Sequence, residues 1–228
     1  MSGPTDFPEH ETGERHWRVM AALAENPIGS SASLEVLIAR LYRRDPDSLA
    51  HLHRVAATAR RIGGEMELVG HELDDLELAA LIHDLGRVIL PDWTDTTSDN
   101  REKSVMRRRS RQVQICYELT RDIPFLSRAA EIVAASLEYF DGSGLPVGRR
   151  GREIPVGARV LAVADVLDAL TSVCLALSYS QDSATAEIVK QAGSRFDPEV
   201  VAACLRCSAE PPAPKLLPWW TSLHQRAT

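Results

Sequence analysis

The chain has 228 residues, 44% of them apolar, enough to bury one sizeable core. Its 26 Lys and Arg against 32 Asp and Glu leave a net charge of −6, which excludes the global basic field used to hold nucleic acid. No apolar run is long enough to span a bilayer, and the polar, acidic start lacks the basic and apolar regions of a secretory signal, so a cytoplasmic protein with neither membrane nor nucleic acid as partner is expected.

Met1 to about Arg15 lacks apolar periodicity and reads as disordered. Trp17 to Glu25 predicts a short helix stopped by Asn26-Pro27, and Ser31 can cap a second through Leu41. Together they form an N-terminal segment, residues 1–45. Asp45-Pro46-Asp47 then opens a helix from about Asp47 to Ile62, because Asp can cap and Pro is tolerated in the first turn. Asp47 and His51, four apart, share a face of it, whereas His53 points elsewhere and reads as a surface residue. Gly63-Gly64 predicts its end. Leu73 to Leu85 predicts the next helix, running into His83-Asp84, with Gly86 suited to a left-handed turn that stops it. An imidazole and a carboxylate side by side at that end can bind one divalent cation if other helices supply more ligands.

Trp93 to Asn100 reads as a Thr/Asp-rich loop, and Arg101 to Leu119 as a helix whose basic run REKSVMRRRSR is ordinarily a solvated face. Ala129 to Phe140 predicts another amphipathic helix. The glycines and prolines of DGSGLPVGRRGREIP, which follows, demand a structured, turn-rich loop. Pro155 to Thr171 predicts a buried helix in which Asp165 is costly unless paired, hydrogen-bonded or metal-bound. Asp168, three positions on, reads as accepting from backbone amides or lying at the helix edge. Ser183 to Ala192 and Pro198 to Cys207 complete a main domain over 46–208, and 209–228 is a Pro-rich tail with Trp219-Trp220. Cys116, Cys174, Cys204 and Cys207 read as reduced packing thiols, since the single CxxC has no second pair to complete a zinc site. With no alternating strand pattern, the fold class is all-α, with additional N-terminal helices.

His51, His83-Asp84 and Asp165 lie on three separate apolar helices, in an order that resembles the HD phosphohydrolase superfamily. Around DGSGLP, REIPVGARVLAVADVLDALTS and FDPEVV the resemblance sharpens to the HD-GYP subfamily of cyclic di-GMP phosphodiesterases, over about Asp47 to Cys207. It implies an HD-domain helical bundle in which two or three metals activate water toward a phosphodiester. Carried onto this sequence, the metal ligands fall on His51, His83, Asp84 and Asp165, with Asp47 at the extra carboxylate of some trinuclear members. Asp84 and Arg87 fall at catalytic positions. The departures are a metal-binding His replaced by Arg109, a His-His pair replaced by Ser136-Leu137 with Glu138 kept, and a Lys replaced by Arg87. In addition the Tyr of GYP becomes Leu145, and an Arg-Pro-Tyr becomes Cys174-Leu175-Ala176. The remaining ligands suffice for one divalent transition metal, Fe, Mn or similar.

Two readings follow from the resemblance. In the first, a degenerate HD-GYP-type domain in cyclic di-GMP-linked signalling has little or no phosphodiesterase activity and acts by binding. Its partner would be a diguanylate cyclase (GGDEF) domain or other signalling protein, met by the loop carrying Gly142, Gly144, Leu145, Arg149, Arg150 and Arg152, with a cyclic dinucleotide as a further ligand. In the second, a mononuclear HD phosphohydrolase acts on a nucleotide or other phosphoester. Arg109 is expected either to pair with a carboxylate that the missing cation leaves uncompensated, or to be one more residue of the exposed run Arg107 to Arg111.

Overall fold

The computed structural model describes residues 31–43, 45–90, 101–172 and 179–209, and among these there are helices, turns and one isolated bridge between Ala192 and Phe196, with no strand. The expected helix at Trp17 to Glu25, the loop Trp93 to Asn100, Cys174 to Ala176 and the tail beyond Ala209 lie outside the described residues. The elements are α1 (Ser31–Leu41), α2 (Pro46–Glu65), α3 (His71–Ile82), α4 (Leu85–Ile89), α5 (Arg101–Thr120), α6 (Ser127–Ala134), a 3-10 turn (Gly151–Glu153), α7 (Val156–Thr171), α8 (Gln181–Lys190) and α9 (Pro198–Ala209). The fold is all-α.

Helix α2 starts as its sequence requires, with Pro46 in the first turn and the Asp45 carboxylate accepting the Ser48 amide at 3.0 Å. Its buried residues Leu52, Val55, Ala56, Ala59, Ile62 and Gly63 recur every three or four positions. That stripe packs against α3, α7 and α9. The predicted stop at Gly63-Gly64 is absent, because the helix continues to Glu65. A Cβ on Gly63 would meet Leu73 and Leu76 at 2.9 Å, so this glycine allows close packing rather than ending a helix.

Helix α7 is buried at Gly157, Ala158, Val160, Leu161, Val163, Ala164 and Leu167, and its small residues let α2, α3 and α6 approach. Leu34 and Ile38 of α1 join the same core, so the described part of residues 1–45 packs with residues 46–208. Arg159 of α7 forms an ion pair with Asp197, whose Oδ1 accepts the Glu199 amide at 2.8 Å and so opens α9. Cys116, Cys204 and Cys207 are buried free thiols. Among the described residues, no helix is long and apolar enough to cross a membrane.

Two further boundaries differ from expectation. Helix α3 ends at Ile82, His83-Asp84 forms a turn, and α4 begins at Leu85. Gly86 lies within α4 rather than at a left-handed stop, because a Cβ there would collide with the Gln112 backbone on α5. Close approach of two helices, not a turn, requires this glycine. Likewise α6 ends at Ala134, which leaves Ser136, Leu137 and Glu138 in the turn that follows.

Gly86→Ala should destabilise the fold by at least about 3 kcal/mol, since α4 and α5 must separate to admit a methyl group. Gly64→Ala should instead stabilise it by about 0.5–1 kcal/mol, because a Cβ at that helical position meets nothing within 4 Å. Urea unfolding separates the two, and equal midpoints would contradict the packing role of Gly86.

Candidate metal centre

Three elements converge on one point. Helix α2 brings His51, the turn after α3 brings His83 and Asp84, and α7 brings Asp165. His51, His83 and Asp165 each offer one ligand atom, and these atoms all lie within 4.8 Å of one another. Asp165 Oδ1 is 3.4 Å from His51 Nε2 and 3.7 Å from His83 Nε2. Asp84 stands beside the trio, its Oδ1 also 3.7 Å from His83 Nε2. Asp47, one turn before His51, is exposed in the first turn of α2 and takes no part in the trio.

The two imidazoles are held by their other nitrogens. His83 Nδ1–H donates to the Ala80 carbonyl at 2.7 Å, and His51 Nδ1 meets Asp168 Oδ2 at 2.7 Å. His83 Nε2 is buried and has no hydrogen-bond partner. An orphaned, buried ring nitrogen beside two carboxylates is costly unless something else uses it, and two nitrogens with a carboxylate oxygen are a donor set that suits one divalent transition metal. Without a cation, burial pushes the His51 pKa down, but the carboxylates of Asp165 and Asp168 outweigh it and hold it up at about 9. Burial opposes ionisation of Asp165, yet the two imidazoles and Arg109 keep it well below the usual carboxylate range. A metal therefore competes with protons for these ligands.

Arginines cover the outer oxygens. Asp84 Oδ2 accepts from Arg87 Nη1 and Asp165 Oδ2 from Arg109 Nη2, both at 3.0 Å, and each arginine side chain is 41% exposed. Of the two expectations for Arg109, the structure has the carboxylate contact. Glu138 is not at the metal centre. It is buried in the turn after α6, and its carboxylate accepts the amides of Val147, Gly148 and Arg149 at 2.9–3.1 Å. It thereby anchors the Gly-rich loop. Gly142 in that loop has a φ of +85°, and a Cβ on Gly144 would collide with the Tyr139 backbone. Leu145 donates its amide to Leu137 at 3.0 Å, and Arg149, Arg150 and Arg152 are exposed. Ser136 donates to the Val133 carbonyl.

The sequence reading missed Asp168 and its partners. Asp168 lies neither on backbone amides nor at an edge. It is buried and takes His51, Arg54 Nε at 2.6 Å and Ser172 Oγ at 3.0 Å. The signal available was the pair of three-residue spacings, His51 with Arg54 and Asp165 with Asp168, each placing two polar groups on adjoining helix positions. His53 is not the surface residue expected: it is half-buried, with Nε2 3.9 Å from Glu35 Oε2.

A family model described as "HD domain" matches residues 35–200. The chain belongs to the HD domain family. The cyclic di-GMP phosphodiesterase response regulator RpfG of Xanthomonas campestris is 33% identical over 85% of this chain and 52% of its own. A cyclic di-GMP phosphodiesterase of Thermotoga maritima is 30% identical over 78% of this chain and 49% of its own. This HD-domain chain thus spans about half the length of the curated relatives it matches. An HDG"Y"P protein from Bdellovibrio bacteriovorus has the same fold, with a TM-score of 0.60 at 14% identity over 87% of this chain and 70% of that one. A cyclic GMP-AMP-specific phosphodiesterase of Vibrio cholerae aligns with a TM-score of 0.57 at 21% identity, over 77% and 47%. These relatives agree with the HD-GYP resemblance carried by the sequence.

In Glu138→Ala the amides of Val147, Gly148 and Arg149 lose their acceptor, so their hydrogen exchange should accelerate by at least about tenfold, and unchanged protection would remove Glu138 as the loop anchor. Burial and then Glu77 raise Glu35 from 4.5 to about 7. The folded state therefore binds this proton more tightly than the unfolded chain, and its stabilising contribution is lost as pH rises through that window. Glu35→Gln should match wild type near pH 4.5 and exceed it by about 1–3 kcal/mol at pH 8, read from denaturant unfolding at both pH values.

Proposed function

We propose that the chain is a metal-dependent HD phosphohydrolase, the second of the two readings drawn from its sequence, and that its substrate, there a nucleotide or other phosphoester, is a phosphodiester of the cyclic-dinucleotide class. The observation that carries it is the buried, partnerless Nε2 of His83 set among His51, Asp165 and Asp84. The relatives support it, because each of those matched is named as a phosphodiesterase of cyclic di-GMP or cyclic GMP-AMP.

His51, His83 and Asp165 would hold one divalent cation, with Asp84 beside them. When bound, such a cation supplies Lewis acidity toward a phosphoryl oxygen and lowers the pKa of water. The chain's own groups do the rest. Asp84 and Asp165 each keep one oxygen toward the centre, while Arg87 and Arg109 pair with the other at the half-exposed rim. A phosphodiester approaching that rim would be oriented by those two guanidiniums, which suit phosphate oxygens through their forked donors. Arg109 stands where the resemblance puts a metal-binding imidazole, and Ser136-Leu137 stand where it puts two more, so a second cation has lost its ligands. Clamping both the attacking and leaving oxygens is then not available, and turnover should be slower than in a two-metal enzyme.

One observation favours the other reading, a binding module meeting a GGDEF domain or other signalling protein: Arg149, Arg150 and Arg152 are exposed together on the loop that Glu138 anchors. Activity separates them. Protein loaded with Mn²⁺ or Fe²⁺ should retain about one ion per chain and hydrolyse bis(p-nitrophenyl) phosphate and cyclic di-GMP at below about 1 per second. Asp165→Ala should lose both metal and hydrolysis, and His53→Ala should keep both. Metal-loaded protein that leaves both substrates intact would sink the enzymatic reading in favour of the binding module.

A further inference from the structure

Two pairs of residues spaced three apart face each other across α2 and α7: His51 with Arg54, and Asp165 with Asp168. We propose that Asp168, braced by Arg54 and Ser172, is a positioning residue that fixes the His51 ring with Nε2 toward the metal, whereas Asp165 is the ligand. The assignment rests on the metal-centre reading above.

Acceptor capacity divides the roles of the two carboxylates. Asp168 Oδ2 takes His51 Nδ1 at 2.7 Å, Arg54 Nη2 at 3.0 Å and Ser172 Oγ at 3.0 Å, while Oδ1 takes Arg54 Nε at 2.6 Å. A carboxylate oxygen has about two acceptor sites, so Asp168 Oδ2, which meets His51, is fully taken by its three donors and has no site for a cation, while Oδ1 is turned to Arg54 Nε. Asp165 differs. Its Oδ2 is held by Arg109, but its Oδ1 lies between the two Nε2 atoms at 3.4 and 3.7 Å, beyond a good hydrogen bond to either. Exposure does not separate them, since their side chains are 7% and 16% accessible. The donors around them do.

Arg54 acts on Asp168 in two ways. Its fork compensates a buried negative charge, and its planarity sets the tilt of the carboxylate that His51 meets. Ser172 ties this arrangement to the end of α7: its amide donates to the Asp168 carbonyl at 2.9 Å, its hydroxyl donates to Asp168 Oδ2, and that hydroxyl accepts from Arg54 Nη2 at 2.9 Å. The two ring nitrogens at the centre are thus oriented by different devices, a neutral carbonyl behind His83 and a charged carboxylate behind His51. The carboxylate makes His51 the more basic donor of the two.

Mn²⁺ affinity of the full chain, measured by chelator competition, should fall about 10–100-fold in Asp168→Ala. Asp168→Asn should lose less, because an amide oxygen can still accept from Nδ1, as the Ala80 carbonyl does for His83. A packing role alone gives no such ordering. A second readout needs no metal: the His51 Nδ1–H resonance, protected from exchange in wild type, should vanish in Asp168→Ala and persist in Asp168→Asn. Wild-type Mn²⁺ affinity in Asp168→Ala, or an unchanged Nδ1–H signal there, overturns the assignment. If wild type itself binds no Mn²⁺, the metal-centre reading fails, and the Nδ1–H signal alone decides whether Asp168 orients His51. Should Asp168→Ala fail to fold because Arg54 loses its carboxylate, the double variant Asp168→Ala, Arg54→Ala removes both charges and is read in the same two ways.

Discussion

Between Ile82 and Leu85 the chain leaves one helix and enters another, and other elements hold that break from three sides. The Tyr42 hydroxyl donates to the Asp84 carbonyl at 2.9 Å, the Cys116 thiol donates to the Ile82 carbonyl at 3.0 Å, and the Gln112 backbone lies against Gly86. Backbone groups freed where a helix ends must find partners when buried, and here two neighbours supply them. Burial pushes the Cys116 thiol up to about 12, so it stays a neutral donor. The break turns His83 inward with its Nδ1 on Ala80, and everything else at the centre is arranged around the Nε2 this leaves.

Around that nitrogen the electrostatics are nearly symmetric. Asp84 and Asp165 each direct one oxygen toward it from 3.7 Å and give the other to an arginine at 3.0 Å. The imidazoles of His51 and His83, together with Arg109, hold the Asp165 carboxyl well below the usual carboxylate range. Because both arginines are half-exposed, their pairing with the carboxylates is screened by solvent. A fixed guanidinium compensates charge without offering coordination positions, which is how Arg109 differs from the imidazole the resemblance puts there.

The Gly-rich loop depends on a different carboxylate. Glu138 collects three consecutive loop amides, and the glycines permit turns that a side chain would obstruct. The loop is also pinned to the segment before α9, where Phe140 and Asp141 donate to the Arg195 and Ser194 carbonyls at 3.2 and 2.9 Å. The arginines it exposes are therefore carried on a structured support rather than on a free coil.

Much of this was legible in the amino-acid order. The apolar repeat every three or four residues gave the helices, Asp45-Pro46 opened one of them, and His51, His83 and Asp165 were each noticeable as polar residues in apolar helices. Local sequence carries such signals because caps and periodicity act within one or two turns. The errors have one origin. Gly63, Gly86, the end of α6 and the roles of Asp168, Glu138 and His53 all depend on what lies across from them, on α3, α5, the Gly-rich loop, α2 and α1. A glycine that ends a helix and one that admits a neighbouring helix look alike in sequence, as do a carboxylate that faces a metal and one that holds a histidine. Sequence determined which residues are candidates for the chemistry; only the packing of helices distant in the chain decided which of their atoms meet, because those contacts are made across the core rather than along it.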